Sequence, residues 1–177
     1  MNKNTALLVI DVQNGMFLES YPVYDGDGLL ERISGLIQKA RASDVPVIYV
    51  QHNEGEGEPL ETHSEGWHIH PKIAPARGEI IIQKQKPDSF HETNLQLELE
   101  ALGIQKVVLA GLQTDFCIDA TCRRATELGY QVTVVQDGHS TYSQRDQTAS
   151  QIIERYNDQF RSFAELLESS SIEFCWD

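Results

Sequence analysis

Three residues that can carry out acid–base and nucleophilic chemistry stand where apolar segments of the sequence end. Asp11 ends the segment TALLVID, Lys84 follows EIIIQ, and Cys117 follows KVVLAG after LQTDF. A carboxylate can take the proton of a thiol, and a neighbouring ammonium favours the thiolate. The dipole of a helix lowers the pKa of a thiol in its first turn, which is where we expect Cys117. This combination predicts a cysteine hydrolase in which the nucleophile, Cys117, has a lowered pKa.

Each of the three residues also has an ordinary structural role. Aspartate is common in the turns that follow strands. A lysine between a strand and a loop, such as Lys84 with Lys86 nearby, is usually solvated. Cysteine is among the most buried residue types, so a lone Cys117 is more often a packing residue, as we expect Cys122 to be. Cys175 carries no signal. The spacing alone therefore supports a cysteine hydrolase and a noncatalytic α/β domain that binds a metabolite about equally.

Short, almost continuously apolar segments alternate along the chain with segments of helical spacing. Strands are predicted at 5–11, 46–51, 79–83, 106–111 and 131–136, with a weaker sixth at 171–175. Helices are predicted over 28–42, 93–102 and 115–128, with one or two more within 145–168. Continuously apolar strands are typical of a parallel sheet that is buried on both faces. The pattern predicts one Rossmann-like, three-layer α/β/α domain over 1–177 with a doubly wound, mostly parallel sheet of about six strands. Ligands of such sheets bind beyond the carboxyl ends of the strands.

The composition excludes several classes of partner. The 177 residues include 14 Lys+Arg and 27 Asp+Glu, which gives a formal net charge of −13. Nucleic acids and anionic membrane surfaces require clustered positive charge, so we expect neither as a partner. No apolar run reaches the roughly 18 residues of a membrane span, and the N-terminal residues lack the pattern of a signal peptide. Three cysteines are an odd number for a closed disulfide framework. We expect a cytoplasmic protein that acts on a small molecule.

Three stretches of the sequence resemble the isochorismatase-like cysteine hydrolase superfamily. They are ALLVIDVQNGMF at 6–17, GEIIIQKQKPDSFHETNL at 78–95 and GIQKVVLAGLQTDFCIDATCRRATELGYQVTVVQDGHST at 103–141. The stretches occur in the order and with the spacing of the family. The superfamily includes nicotinamidases, N-carbamoylsarcosine amidases, ureidoacrylate amidases and isochorismatases.

The resemblance implies a catalytic role for each of the three residues. Asp11 corresponds to the general base of the family and Cys117 to its nucleophile. The catalytic lysine of the family lies six residues before the phenylalanine that closes the motif, which is Phe90 here. Counting back from Phe90 selects Lys84 and makes Lys86 a loop residue.

The resemblance also implies an oxyanion hole and no organic cofactor. Family members have a non-proline cis peptide bond before the nucleophile, and it corresponds to Leu112–Gln113 here. The backbone N–H groups of Gln113 and Cys117 would then bind the oxyanion. Proteins of this family form dimers or larger oligomers, so we expect a homo-oligomer, a dimer or a tetramer.

The presence of Cys117 favours cleavage of a C–N bond through a thioester. Isochorismatases act on a vinyl ether, and some of them lack the cysteine. A vinyl-ether hydrolase and a noncatalytic metabolite-binding domain remain the alternatives. A thiol redox role is disfavoured because Cys117 and Cys122, five residues apart, lie on different faces of the predicted helix.

The irregular segment 52–78 is where we expect substrate specificity to be set. Its histidines are His52, His63, His68 and His70, but it lacks the Asp-x-His pair with which nicotinamidases bind a metal. We therefore predict no metal site. Three aromatic residues are candidates for pocket walls, namely Phe17, Trp67 and Phe90. The sequence does not identify the substrate.

Overall fold

Six strands form one fully parallel sheet in the computed structural model, which describes residues 4–174. The strands are β1 Thr5–Ile10, β2 Val47–His52, β3 Ile80–Lys84, β4 Lys106–Leu112, β5 Gln131–Ser140 and β6 Glu165–Leu167. Their order across the sheet is β3-β2-β1-β4-β5-β6. The order therefore reverses between β1 and β4, the position at which doubly wound sheets bind their ligands.

Helices cover both faces of the sheet. They are α1 Gly26–Ala42, α2 Leu95–Ala101, α3 Asp119–Glu127 and α4 Ala149–Phe160. One core contains the apolar side of α1, and the core on the opposite face contains the apolar sides of α2, α3 and α4. All six residues of β1 are buried, because this central strand has a helical layer on each side. The predicted three-layer α/β/α fold is confirmed. No helix among the described residues is long and apolar enough to cross a membrane.

The prediction was wrong for the last strand, whereas the one or two helices predicted within 145–168 are a single helix. The sixth strand is the short β6 at the edge of the sheet, not 171–175, and Ser169–Ser171 form a 3-10 turn. Ile172 and Phe174 are buried against the core on the α1 side, so their apolar character reflects packing rather than strand formation. Cys175 lies outside the described residues. The segment 145–168 contains the single helix α4, which begins at a Thr148–Gln151 capping box and ends before the turn that leads into β6.

The predicted helix 115–128 consists of two parts. Thr114–Ile118 form a π-helical turn, and the regular helix α3 follows it directly. Cys117 lies in the π-helical turn and Cys122 lies in α3, and both are free thiols. The turn makes one extra residue available between the end of β4 and α3, and such turns are frequent at functional sites.

Candidate active site

Asp11, Lys84 and Cys117 meet at the carboxyl edge of the sheet. Asp11 directly follows β1, Lys84 is the last residue of β3, and Cys117 follows β4 in the π-helical turn. The Lys84 Nζ atom lies 3.0 Å from Asp11 Oδ2 and 3.1 Å from Cys117 Sγ. All three side chains are largely buried. The structure thus brings together the three residues that the sequence selected, and it selects Lys84 rather than Lys86 by position.

The Lys84 ammonium has more acceptors than hydrogens. Besides Asp11 and Cys117, its Nζ atom lies 2.8 Å from His52 Nδ1 and 3.0 Å from the carbonyl oxygen of Lys86. An ammonium carries three N–H donors, so four acceptors at these distances cannot all be bonded at one time. The bond to the sulfur can therefore form or break without leaving the ammonium unpaired.

Asp11 has one carboxylate oxygen available for a proton. Its Oδ2 atom accepts from Lys84, whereas its Oδ1 atom is buried and has no hydrogen-bond partner. A buried acceptor without a partner is costly and is found where a site binds or transfers something. Asp11 has the left-handed backbone conformation, with φ of 53°, which aspartate tolerates better than most residues.

The pKa of Cys117 is raised, contrary to the lowered value expected from the sequence. Burial of the thiol is the largest cause, the negative charge of Asp11 adds to it, and Lys84 opposes both. Desolvation of the sulfur, which depends on how the fold buries it and not on its position in a helix, disfavours the charged thiolate. In the resting site the thiol is therefore protonated at neutral pH.

A buried polar network connects the π-helical turn to the rest of the fold. Thr114, the first residue of the turn, lies 2.8 Å from His139 Nδ1, and His139 Nε2 lies 2.9 Å from Asn157 Oδ1. The Asn157 amide also donates to the carbonyl oxygen of Gln136. The network fixes the His139 tautomer, because an amide oxygen can only accept: Nε2 carries the proton and Nδ1 accepts from the Thr114 hydroxyl. Burial lowers the pKa of His139 to about 4, so the ring is neutral.

Two neighbouring features hold the end of β4 in an irregular conformation. Gly111 has φ of +129°, and a Cβ atom there would overlap the backbone of Ile10 in the adjacent strand. The Leu112–Gln113 peptide bond is cis.

His52 is a site residue that the sequence analysis did not assign to the catalytic group. It is the last residue of β2, so it stands at the same sheet edge as Asp11 and Lys84. Burial and the charge of Lys84 lower the pKa of His52, so its neutral ring accepts from the Lys84 ammonium through Nδ1. The buried Gln13 side chain bonds both backbone groups of His52, at 2.9 Å each. The position at the end of a buried strand was the signal that could have identified His52.

A cavity of about 220 Å³ opens onto the Cys117 sulfur. Its lining comprises Asp11, Met16, His52, Glu54, Leu60, Pro87, Gln113, Phe116 and Cys117. A second cavity of about 500 Å³ shares part of this lining and extends toward Tyr21 and Tyr142. These volumes suit a small molecule.

Comparison with known proteins identifies the family. The family model of the isochorismatase domain matches residues 5–168. The chain belongs to the isochorismatase family. A streptothricin hydrolase of Streptomyces noursei is 33% identical over 137 residues, which is 77% of this chain and 50% of that protein. The chain thus spans about half the length of this relative.

Two further matches have similar coverage of the chain. Nicotinamidase 3 of Arabidopsis thaliana is 27% identical over 157 residues, which is 81% of this chain and 76% of the plant protein. A solved structure of an isochorismatase family protein superposes with a TM-score of 0.89 at 31% identity and covers 95% of this chain and 100% of its own. The chain therefore shares the fold of this family over nearly all of its length.

The three aromatic residues predicted as pocket walls do not line the cavity at Cys117. Phe17 borders a separate cavity near His70. The Trp67 Nε1 atom donates to Asn53 Oδ1 at 2.7 Å. Phe90 stacks on Tyr130 with ring centroids 5.9 Å apart and packs against the core. The phenylalanine that lines the cavity is Phe116, next to Cys117, and it was not among the predicted pocket residues.

Of the four histidines in the segment 52–78, only His52 belongs to the group of potential metal ligands at the site; His63, His68 and His70 do not. His63 and His68 pack edge-on against Trp67, and the His70 Nδ1 atom accepts from the Lys72 N–H. The one group of potential metal ligands among residues 4–174 is Asp11, His52 and Cys117, with ligand atoms within 4.8 Å of one another. The Lys84 Nζ atom lies within 3.1 Å of one such atom of each, so a cation in the middle of this group would have to displace the ammonium.

Proposed function

We propose that the protein hydrolyses an amide-type C–N bond of a small molecule through a thioester on Cys117. One observation carries this proposal: the Cys117 sulfur is within hydrogen-bonding distance of a buried ammonium, and a buried carboxylate oxygen with no partner stands beside it. Acyl transfer requires three groups: a nucleophile, a cation that stabilises the anionic form of the nucleophile, and a proton acceptor.

In the first half of the reaction the thiol attacks the substrate carbonyl carbon. The proton of Cys117 passes to Asp11 as the S–C bond forms, because the raised pKa of the thiol disfavours a free thiolate. The negative charge moves to the carbonyl oxygen, where the backbone N–H groups of Gln113 and Cys117 stabilise it. Both residues line the cavity, which supports this assignment.

Collapse of the tetrahedral intermediate expels the amine and leaves the thioester. Asp11 returns its proton to the departing nitrogen, so ammonia or an amine leaves without charge. Water then attacks the thioester, with its proton accepted by Asp11, and the carboxylic acid and the thiol are released. The net reaction is amide plus water to carboxylic acid plus amine, with no cofactor.

The thiol favours this reaction over hydrolysis of a vinyl ether. A thiol nucleophile needs an electrophilic carbon such as that of a carbonyl group, whereas hydrolysis of a vinyl ether begins with protonation of carbon and needs no thiol. Nicotinamidase 3, whose name describes an amidase, is a relative over most of the chain.

A panel of small primary amides, assayed for released ammonia, tests the proposal. We expect wild-type protein to hydrolyse at least one of them, and we expect Cys117→Ala to lose activity by about 10³-fold or more, as removal of a nucleophile does. Cys122→Ala is the matched control, because it removes a buried thiol five residues away that faces the core rather than the cavity.

The result that contradicts the proposal is amide turnover by Cys117→Ala at the rate of Cys122→Ala. Circular dichroism and thermal unfolding of both variants establish that each is folded. Turnover of a vinyl ether by Cys117→Ala, with no amide hydrolysed by wild type, would support the alternative hydrolase.

A further inference from the structure

The cavity at Cys117 continues into the larger cavity toward Tyr142. The two share five lining residues, which are Met16, Glu54, Leu60, Gln113 and Phe116. A substrate with its scissile bond at the Cys117 sulfur therefore extends past this shared wall. Side chains of this wall therefore contact the part of the substrate beyond the amide group, and they determine which substituents fit there.

Glu54 is the charged residue of the shared wall and is held rigidly. Its Oε2 atom accepts from the Leu60 N–H at 2.8 Å, and its own N–H donates to the Leu60 carbonyl oxygen at 3.0 Å. Its carbonyl oxygen accepts from the Thr62 N–H at 3.2 Å and from the Thr62 hydroxyl at 3.1 Å. The carboxylate is thus fixed at the cavity wall rather than free to move into solvent.

No cationic side chain balances the charge of Glu54 within residues 4–174. None of the ion pairs between described residues includes it. The two cavities are lined by no lysine or arginine, and the one other carboxylate in their lining, Asp11, is paired with Lys84 behind the wall. His52 is kept neutral by the lowering of its pKa. The space in front of Glu54 therefore has a negative potential.

Aromatic rings border the same space. Phe116 is 52% exposed although it lies beside the nucleophile. In the larger cavity Tyr21 and Tyr142 stack with ring centroids 4.6 Å apart. Aromatic faces and a carboxylate are both groups that attract cations, while Met16 and Leu60 supply apolar contact.

We propose that the site selects amides that carry a cationic group, an ammonium or guanidinium, and that Glu54 is the carboxylate that determines this specificity. This inference rests on the proposed amide hydrolysis. Cationic substrates gain from pairing with Glu54 in a partly dehydrated cavity, whereas anionic substrates are repelled by it.

Three amides of similar size test this specificity: 4-(aminomethyl)benzamide, 4-(hydroxymethyl)benzamide and 4-carboxybenzamide. At low ionic strength we expect wild type to show kcat/KM at least about tenfold higher for the ammonium compound than for the hydroxyl compound, with the carboxylate lowest. Glu54→Gln keeps an acceptor for the Leu60 N–H but removes the charge, so we expect the ratio of ammonium to hydroxyl compound to fall about tenfold or more.

Glu56→Gln is the matched control. Glu56 belongs to the same loop and is exposed, but it lines neither cavity, so the variant changes net charge equally and should retain the wild-type ratio. A ratio near one in wild type, or the same fall in both variants, would overturn the specificity while leaving the amidase proposal intact.

A binding measurement separates this inference from the proposed function. Benzylammonium and benzyl alcohol are titrated by calorimetry into Cys117→Ala, with and without Glu54→Gln. We expect benzylammonium to bind at least about tenfold more tightly than benzyl alcohol, and Glu54→Gln to remove the difference. Equal binding of the two compounds overturns the inference, even if no amide is hydrolysed by wild type.

Discussion

Cys117 is subject to two opposite influences from the residues beside it. Lys84 lowers the pKa of the thiol, whereas burial and the charge of Asp11 raise it, and the net result is a raised pKa. The sequence could predict the three residues, because each stands at the end of an apolar segment and the carboxyl ends of parallel strands meet at one edge of the sheet. It could not predict the protonation state, because desolvation depends on how completely the fold buries the sulfur.

The Asp11→Asn variant separates the acidity of the thiol from its catalytic use. The substitution removes a negative charge beside Cys117, so we expect its pKa to fall and its alkylation by iodoacetamide at pH 8 to accelerate about threefold or more. The same variant should lose amide turnover, because no carboxylate remains to carry the proton. Alkylation is followed by mass spectrometry of the Cys117 peptide.

Cys122→Ala should alkylate at Cys117 like wild type, since the Cys122 side chain is not exposed. Slower alkylation of folded Asp11→Asn would show that Asp11 does not raise the pKa of the thiol. The loss of one partner of the buried Lys84 is expected to cost stability, so thermal unfolding accompanies the measurement.

The π-helical turn that carries Cys117 is fixed by other elements through His139. This residue of β5 bridges Thr114 in the turn and Asn157 in α4. The strands and helices were predicted well where apolar runs are long, as in β1 and α1. The strand β6 was not predicted, because three residues are too few to show a pattern. The hydrogen bonds of His139 were not predicted either, because they join residues that are distant in sequence.

We expect His139 to make the fold sensitive to acid. Burial lowers its pKa to about 4, with Asn157 and Asp137 opposing. The unfolded chain takes up a proton near its ordinary pKa of about 6.5, so stability is full above that pH and is lost as the pH falls toward 4. The largest contribution over this range is about 3 kcal/mol, at about 1.4 kcal/mol for each pKa unit.

His139→Gln is expected to be less stable than wild type at pH 7 but to lose less stability between pH 6.5 and pH 4. Urea unfolding at both pH values measures the stability. The control is His91→Gln, which replaces an exposed histidine and should keep the pH dependence of wild-type stability. An equal loss of stability in wild type and His139→Gln would show that His139 does not titrate on unfolding.

At the scale of the whole molecule, the net charge does not indicate where the charged side chains lie relative to the cavity. The net charge of −13 argues only against anionic partners. In the fold, the segment 54–62 places one of these negative charges, the Glu54 carboxylate, at the wall of the cavity at the sheet edge. The sequence predicted the sheet edge and the segment 52–78 as the place where specificity is set, but not which residues of that segment line the cavity. An irregular segment has no periodic pattern from which its contacts could be predicted.

The covalent intermediate tests the central claim most directly. Wild-type protein is mixed with an amide that it hydrolyses, quenched in acid during turnover, digested and analysed by mass spectrometry. We expect the mass of the acyl group on the peptide that contains Cys117, removable by hydroxylamine as a thioester is, and no adduct on Cys122. Continued amide turnover by Cys117→Ala, with the Cys117 peptide of wild type unmodified, would contradict the account.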